Sequence, residues 1–238
     1  MCQLAADFGC APGAFRESHA TVVLAALHEN RRKFRATPYF FQMASFGYGL
    51  VASVHPVLQP WAEAFFAVRR GNECFFYNVL CQVDAALAAH GKQLAGTLEY
   101  YLPQPQRSIP DTGCGIQWHN RDGMEALYHD VRWQNALLYD LRSLRPDMLA
   151  VSAWVEGEMV GMASASADSD TMWQIGIDVL PKYRERGIGT QLVGHLTDAV
   201  LERGKLPYYG TWFANVASRN VALRCGYAPA WVECVERE

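Results

Sequence analysis

The sequence lacks a long apolar run, a recognisable leader and paired cysteines. No stretch approaches 18 uncharged apolar residues, so we expect no transmembrane helix and no membrane partner. The first 15 residues contain no basic residue ahead of an apolar core, so we expect no signal peptide. The cysteines are odd in number and form no C-x-x-C pair; they stand at positions 2, 10, 74, 81, 114, 225 and 234. This pattern predicts reduced thiols in a cytoplasmic protein, with no metal site.

Positive charge and the common nucleotide-binding signatures are also missing. The formal net charge is −3, so we expect no nucleic-acid partner. Neither the G-x-G-x-x-G pattern of dinucleotide-binding folds nor the G-x-x-x-x-G-K-[ST] pattern of P-loops occurs. Half of the residues are apolar or aromatic, which is enough for a sizeable core and excludes global disorder. The composition therefore indicates a globular protein.

A stretch rich in proline, glycine and polar residues, 102–115, marks the expected domain boundary. We predict an N-terminal α/β domain over 1–110 and a second domain over 111–238. The second domain is the acidic one, with seventeen Asp and Glu against twelve Lys and Arg.

Residues 1–110 combine helical and strand-like patterns. Apolar periodicity predicts helices at 19–35, 56–71 and 75–91, and aromatic or β-branched residues predict strands at 39–54 and 93–103. The basic cluster at 31–35 is interpreted as a solvated helix face.

Residues 111–238 give a clearer order, β, α, β, β, β, α, β, α, β. A short strand at 115–120 precedes one or two helices within 122–144. Two apolar runs that meet at Gly157 predict a hairpin over 148–166. Further strands are predicted at 171–179, 208–215 and 229–235, and further helices at 188–204 and 216–225.

The stretch V-L-P-K-Y-R-E-R-G-I-G-T, 179–190, places two glycines where a strand passes into a helix. Glycines at a helix N-terminus let a phosphate approach backbone N–H groups, and the helix dipole adds partial positive charge. Arg184, Arg186 and Thr190 would add charge and a hydroxyl. The loop alone is explained equally well as a phosphate site or as an ordinary strand–helix connection.

Two motifs in order are more specific than the loop alone. The segment R-E-R-G-I-G at 184–189 has the form R-x-x-G-x-G, and N-V-A-S-R-N-V-A-L-R-C-G-Y at 215–227 has the form N-x-x-S followed by G-[FY]. Together they resemble the GNAT superfamily of acetyl-CoA-dependent N-acetyltransferases over roughly 112–238. The resemblance implies an α/β (α+β) fold with a mixed, mostly antiparallel central sheet flanked by helices. It also implies that the strands at 172–179 and 208–214 splay apart to admit the cofactor.

The resemblance implies acetyl-CoA as co-substrate and no metal. Backbone N–H groups of 186–190 would hold the pyrophosphate, and the backbone at Val179 would pair with the pantetheine arm. The implied cofactor-binding residues are Ile177, Val179, Arg184, Arg186, Gly187, Ile188, Gly189, Thr190, Asn215 and Ser218. Asn215 and Ser218 have an alternative role as caps of the following short helix.

The resemblance leaves the acid–base groups open. The family's tyrosine, seven residues after the asparagine, is replaced here by Ala222, and Tyr227 is predicted to be core. The catalytic candidates are Asp178, Tyr208 and Tyr209. Further candidates are the histidines at 55, 119 and 129 and the aromatic residues Phe40, Phe41 and Tyr48. An ordered water is the alternative to a side-chain base.

The expected function is transfer of an acetyl group from acetyl-CoA to a primary amine of a small molecule or peptide, by direct attack in a ternary complex. The acidic second domain favours a cationic acceptor. The alternatives are a non-catalytic acyl-CoA-binding sensor or interaction module, and an unrelated α/β protein. The N-terminal domain is expected to be a lid, a degenerate copy of the fold or a dimerisation element, which would make the protein a homodimer.

Overall fold

The computed structural model describes residues 1–137 and 142–237. The strands are β1 Ala20–Leu24, β2 Phe41–Ser45, β3 Leu50–Val54, β4 Leu94–Pro103, β5 Gly115–Asn120, β6 Asp147–Val155, β7 Glu158–Ala167, β8 Met172–Val179, β9 Leu206–Trp212 and β10 Tyr227–Glu236. The α-helices are α1 Cys2–Phe8, α2 Gln59–Phe66, α3 Tyr77–Ala88, α4 Ile188–Glu202 and α5 Val216–Arg224. Short 3₁₀ turns lie at Pro12–Arg16, Pro56–Leu58, Gly71–Phe75, Asp122–Leu127, Val131–Trp133 and Pro181–Tyr183.

The chain divides into two compact units whose boundaries do not follow a single cut in the sequence. The first unit holds 1–100 together with 212–214 and 230–238, and the second holds 101–211 and 215–229. The final strand β10 is therefore divided between the units, with 227–229 in the second unit and 230–236 in the first. The division at 110 stays a prediction.

The first unit is a mixed sheet covered by helices. Its strand order is β1-β3-β2-β10-β4, with β1 and β3 parallel and β2 antiparallel to both β3 and β10. Helices α2 and α3 contribute Phe66, Val83 and Leu87 to a buried cluster on this sheet. The structure confirms the α/β character that was predicted for this part of the chain.

The predicted helix at 19–35 is wrong. Its first part is strand β1, because the β-branched run 21–23 pairs in parallel with β3. The remainder has no regular structure, and Arg32 is not solvated. Its side chain is buried and forms ion pairs with Asp7 and Glu233. At least one residue of the basic cluster, Arg32, therefore has a structural role in a buried ion-pair network and is not part of a solvated face.

The second unit carries a five-stranded sheet in the order β9-β8-β7-β6-β5, antiparallel except for the β8–β9 pair. The predicted hairpin is confirmed, with Glu156 and Gly157 both at positive φ in a two-residue turn. The helices predicted in 122–144 are instead two 3₁₀ turns where the chain is described, and 138–141 lie outside the described residues.

Helix α4 fills one face of this sheet. Its apolar residues recur at helical spacing and are buried against β6, β7 and β8; they are Ile188, Leu192, Val193, Leu196 and Val200. Each such side chain contributes about 1.5–3 kcal/mol to folding. Gly204 at φ 69° ends the helix, and Lys205 N–H donates to Val200 C=O in the manner of a Schellman cap. This packing fixes where the N-terminus of α4 meets the ends of the strands.

Candidate functional site

Strands β8 and β9 separate partway along their length. Their parallel pairing runs only from Met172↔Leu206 to Ile175↔Tyr209. Strand β8 continues to Val179 on its other edge, where it stays paired with β7. On the β9 side, the described residues provide no pairing partner for 176–179. The backbone groups on the β9 edge of this stretch therefore face an opening between two parallel strands.

The glycine loop lies at the end of the same strand. Gly187 has φ 83° and is the N-cap of α4, and no side chain caps the helix. A glycine is required there because L residues rarely adopt that conformation. Gly189 is helical, and an added Cβ would lie 3.6 Å from Val179 Cγ2 and 3.7 Å from Val221 Cγ2. A side chain at position 189 would therefore point toward Val179 and Val221, beside the strand opening.

The two arginines of the loop are exposed, whereas its threonine is buried. Arg184 and Arg186 are both exposed, and the Arg186 guanidinium lies 5.3 Å from the Tyr183 ring centre. Arg184 Nε donates to the Val179 carbonyl at 3.1 Å. Thr190 is buried, and its carbonyl accepts a hydrogen bond from the Cys225 thiol. The loop thus presents two exposed cations beside uncapped N–H groups.

The second motif begins helix α5. The Asn215 side chain accepts a hydrogen bond from Ser218 N–H at 3.1 Å, which is an N-cap bond. The Ser218 hydroxyl lies 2.7 Å from the Tyr209 hydroxyl. Burial raises the pKa of Tyr209 to about 12, although the bond to Ser218 opposes this shift. Tyr209 therefore remains a neutral hydroxyl at physiological pH.

The other catalytic candidates are engaged in hydrogen bonds. The Tyr208 hydroxyl donates to Asp168 and lies 3.3 Å from Gln174 Oε1, and the side chain is fully buried. Asp178 accepts from Asn135 N–H and Asn135 Nδ2 at 2.7 Å each, and from Ala136 N–H at 2.9 Å. Tyr208 and Tyr209 thus reach different partners, as strand alternation predicts.

The position of the missing tyrosine is buried. Ala222 has no exposed surface and packs in the α4 core beside Cys225 and Tyr227. Tyr227 is core, as predicted, and its hydroxyl lies 2.7 Å from Thr197 Oγ1. No ligand can therefore contact the Ala222 side chain without a rearrangement.

The remaining candidates lie elsewhere. His119 on β5 is hydrogen-bonded through Nε2 to Ser152 Oγ at 2.8 Å, and burial lowers its pKa. His129 is exposed. In the first unit the exposed His55 ring stacks on Phe40, whereas Phe41 is buried core and Tyr48 is largely exposed, so the four side chains do not form one site.

Two residues of the site escaped sequence reasoning. Gly176 lies under the 135–136 backbone, where an added Cβ would be 2.2 Å from Asn135 O. A glycine inside a strand is a signal for such close backbone approach. The Thr112 hydroxyl bonds to Gln191 in the first turn of α4. Nothing in the residue spacing indicated that contact.

Helix length and the grouping of titratable side chains decide whether the described residues could span a membrane or hold a metal ion. Across 1–137 and 142–237, no helix is both long enough and apolar enough to cross a membrane. Within the same ranges, no three of the His, Cys, Asp and Glu side chains are grouped as metal ligands would be.

These elements define a class of protein. A mixed, mostly antiparallel sheet flanked by helices, in which two parallel strands part beside a glycine-capped helix N-terminus, is the GNAT fold. Residues 115–227, just under half of the chain, match the model of the acetyltransferase (GNAT) family. The match covers most of the region, roughly 112–238, over which the two motifs indicate the family.

Solved structures give fold-level likenesses. A proposed GNAT-family acetyltransferase from Novosphingobium aromaticivorans is 15% identical, with 61% of this chain and 66% of that chain covered and a TM-score of 0.48. An acetyltransferase of the GNAT family from Colwellia psychrerythraea is 12% identical, with 79% and 76% covered and a TM-score of 0.47. AAC(6')-Iy in complex with the bisubstrate analogue CoA-S-monomethyl-acetylneamine is 22% identical, with 48% and 90% covered and a TM-score of 0.38.

This chain spans just under two thirds of the first of those structures. All three scores are below 0.5, so the family assignment rests on the family model. A search of curated protein sequences finds no match to this chain.

Proposed function

We propose that the GNAT domain binds acetyl-CoA and transfers its acetyl group to a primary amine by direct attack in a ternary complex. The observation that carries this proposal is the coincidence of the β8–β9 opening with the uncapped N-terminus of α4. The opening offers unpaired backbone for an extended pantetheine arm, and the helix terminus offers N–H groups for phosphate.

The cofactor contacts would be mainly to backbone. Gly187 and Gly189 let the pyrophosphate approach the N–H groups of 186–190, and Arg184 and Arg186 neutralise its charge. The pantetheine amides would pair with β8 at 177–179, and one of them would replace Arg184 as the donor to Val179 C=O. Asn215 and Ser218 lie at the start of α5, where each could contact the cofactor while retaining its capping bond.

The chemistry requires a neutral amine and a stabilised leaving thiolate. The nitrogen attacks the thioester carbonyl, a C–N bond forms, and the oxyanion needs an N–H donor, which we assign to the backbone at Val179. Collapse breaks the C–S bond, and the thiolate then takes a proton while the amine loses one to water. The neutral Tyr209 and Ser218 hydroxyl pair is suited to donate a hydrogen bond to the thiolate, and it is not suited to abstract a proton.

A second function, binding of acyl-CoA without turnover, is favoured by one observation. The candidate acid and base side chains are held in internal hydrogen bonds, and Ala222 is buried where relatives carry tyrosine. A domain of this kind would bind the cofactor as a sensor or interaction module. Turnover separates the two functions.

The test is calorimetric titration with acetyl-CoA, followed by measurement of free thiol release in the presence of primary amines. Binding in the micromolar range with amine-dependent thiol release supports the acetyltransferase. Binding with thiol release no faster than the uncatalysed rate supports the sensor. No binding at millimolar acetyl-CoA would refute both.

A further inference from the structure

Residues 104–112, which we call the strap, lie along helix α4. The segment has no regular secondary structure, and its composition is that of a loop. Its side chains nevertheless alternate in burial, because Arg107 and Ile109 are partly buried and Ser108 between them is exposed. The strap is therefore an extended segment with one side against the helix.

The residues of α4 that meet the strap recur at helical spacing. Counted from the C-terminal half of the helix to its N-cap, they are Asp198, Gly194, Gln191 and Gly187. Intervals of three and four residues place them on one face of the helix. The apolar residues that pack on the sheet, such as Ile188 and Leu192, lie on the opposite face. Helix α4 is therefore held between the sheet and the strap.

The strap is anchored near its start. Gln104 N–H donates to Gly226 C=O at 2.8 Å, and Arg107 Nη1 donates to Gln104 C=O at 2.6 Å. The Arg107 guanidinium also forms an ion pair with Asp198 on α4. These contacts hold one end of the strap beside the C-terminal half of the helix.

Gly194 shows how closely the middle of the strap approaches. It lies inside α4 and does not have positive φ, so the backbone itself does not require glycine there. An added Cβ would lie 2.8 Å from Ile109 Cγ1 and 3.3 Å from Ile109 Cδ1, so a larger residue would displace the strap. Because alanine is the better helix former, the contact with Ile109 is what explains this glycine.

The far end of the strap reaches the first turn of α4. The Thr112 hydroxyl donates to Gln191 Oε1, and Gln191 N–H donates to Gly187 C=O at 2.9 Å in the first bonded turn. A Cβ added at Gly187 would lie 3.4 Å from Thr112 Cγ2 and 3.9 Å from Pro110 Cγ. The strap therefore ends against the residue that caps the helix.

We propose that the strap positions the cofactor-binding end of α4, and that Thr112 is its positioning residue. This role rests on the proposed function, because it takes the N–H groups of 186–190 to hold the pyrophosphate. Thr112 touches no cofactor and acts through Gln191 and Gly187. Those N–H groups must converge on one anion, and a helix end that is already held on both sides loses less freedom when the anion binds.

The first test measures the helix end by amide hydrogen exchange in the ligand-free protein. Thr112→Val keeps the shape of the side chain and removes the hydroxyl, whereas Thr112→Ser keeps the hydroxyl. Exchange at 191–193, where the bonded amides of α4 begin, should rise about fivefold or more in Thr112→Val. It should stay within about twofold of wild type in Thr112→Ser. Unchanged exchange in Thr112→Val overturns the positioning role.

Thr197→Val is the matched control. It makes the same substitution on the same helix, at a hydroxyl that donates to Val193 C=O and lies 2.7 Å from the Tyr227 hydroxyl. It should lower stability, because it leaves a buried tyrosine hydroxyl with one partner fewer. It should leave acetyl-CoA affinity within about twofold of wild type, because it does not touch the strap.

The second test measures acetyl-CoA affinity by calorimetry. Thr112→Val and Gly194→Ala should each raise Kd about three- to tenfold, and Thr112→Ser should stay within about twofold of wild type. Ile109→Ala removes the atoms that obstruct a side chain at 194. The double variant Gly194→Ala/Ile109→Ala should therefore bind at least about threefold more tightly than the product of the two single effects predicts.

The outcomes separate this role from the function on which it depends. Wild-type binding of acetyl-CoA with unchanged Kd in both Thr112→Val and Gly194→Ala overturns the positioning role and leaves the proposed function intact. Equal losses of affinity in Thr112→Val, Thr112→Ser and Thr197→Val also overturn it, because affinity then follows stability. Failure of the wild-type protein to bind acetyl-CoA refutes the proposed function, and the positioning role with it. Losses in Thr112→Val and Gly194→Ala, with Thr112→Ser and Thr197→Val like wild type, support both.

Discussion

Gly189 is the residue at which stability and cofactor binding should move in opposite directions. It lies in the first turn of α4, has no positive φ, and leaves an added Cβ at least 3.6 Å from every neighbouring side chain. Alanine therefore fits, and it should raise stability by up to about 1 kcal/mol, because glycine is a poor helix former. Aspartate adds a carboxylate beyond that Cβ, close to the apolar side chains of Val179 and Val221, and the helix dipole offsets about 0.3–1 kcal/mol of the resulting cost in stability.

The same aspartate should repel the cofactor. A carboxylate about 5 Å from one pyrophosphate charge costs about 1–3 kcal/mol at effective dielectric constants of roughly 20–80. Each 1.4 kcal/mol is about a factor of ten in Kd, so Gly189→Asp should weaken acetyl-CoA binding by about five- to 140-fold. Gly189→Ala is the matched control, because it adds the Cβ without the charge. It should weaken binding by about threefold at most.

The assays are thermal unfolding without ligand and calorimetric titration with acetyl-CoA at two salt concentrations. The expected result is a higher Tm for Gly189→Ala, with a large loss of affinity for Gly189→Asp only. The loss should shrink at higher ionic strength, because charge repulsion at an exposed site is screened. Equal acetyl-CoA affinity in wild type and Gly189→Asp would refute the phosphate site at 186–190.

Two further predictions concern buried residues. Burial holds the pKa of Tyr209 at about 12 against an ordinary value near 10, so above pH 10 the unfolded chain ionises first and stability falls as pH rises. Between pH 10 and 12, Tyr209 should lower the unfolding free energy by about 1.4 kcal/mol per pH unit, and Tyr209→Phe should remove this contribution, as measured by urea unfolding. If the unfolding free energy of Tyr209→Phe falls with pH as steeply as that of wild type, the buried assignment of Tyr209 is contradicted. Ala222→Tyr should lower the unfolding free energy by about 1–3 kcal/mol, because its side chain has no exposed surface, and it should not raise turnover. A stable variant with increased thiol release would show that position 222 faces the cleft.

Local patterns were sufficient wherever a segment's own residues decide its structure. The spacing of Ile188, Leu192 and Leu196 predicted α4, and Gly204 predicted its end. The turn at Gly157 predicted the β6–β7 hairpin. Motifs at 184–189 and 215–227 predicted the family, because glycine at φ 83° and a capping asparagine are local requirements of the site.

Local patterns failed where distant contacts override propensity. The apolar run after His19 is compatible with a helix, and only pairing with β3 makes its first part a strand. Arg32 looks like a surface residue until Asp7 and Glu233 are brought to it from both ends of the chain. The short segment around Asn135 has little regular structure of its own, and its place on β8 depends on Asp178 and Gly176.

The amino-acid sequence by itself determined the class of the second unit, its glycine loop and the absence of the family's usual tyrosine. Those features depend only on residue identity and on short spacings, and the sequence contains both. The tertiary structure alone decided that Ala222 is buried, that Tyr209 meets Ser218 and that Asp178 is committed to the 135–136 backbone. A hydrogen-bond partner is set by which strands and loops meet in space, and that meeting is fixed by the packing of the whole unit.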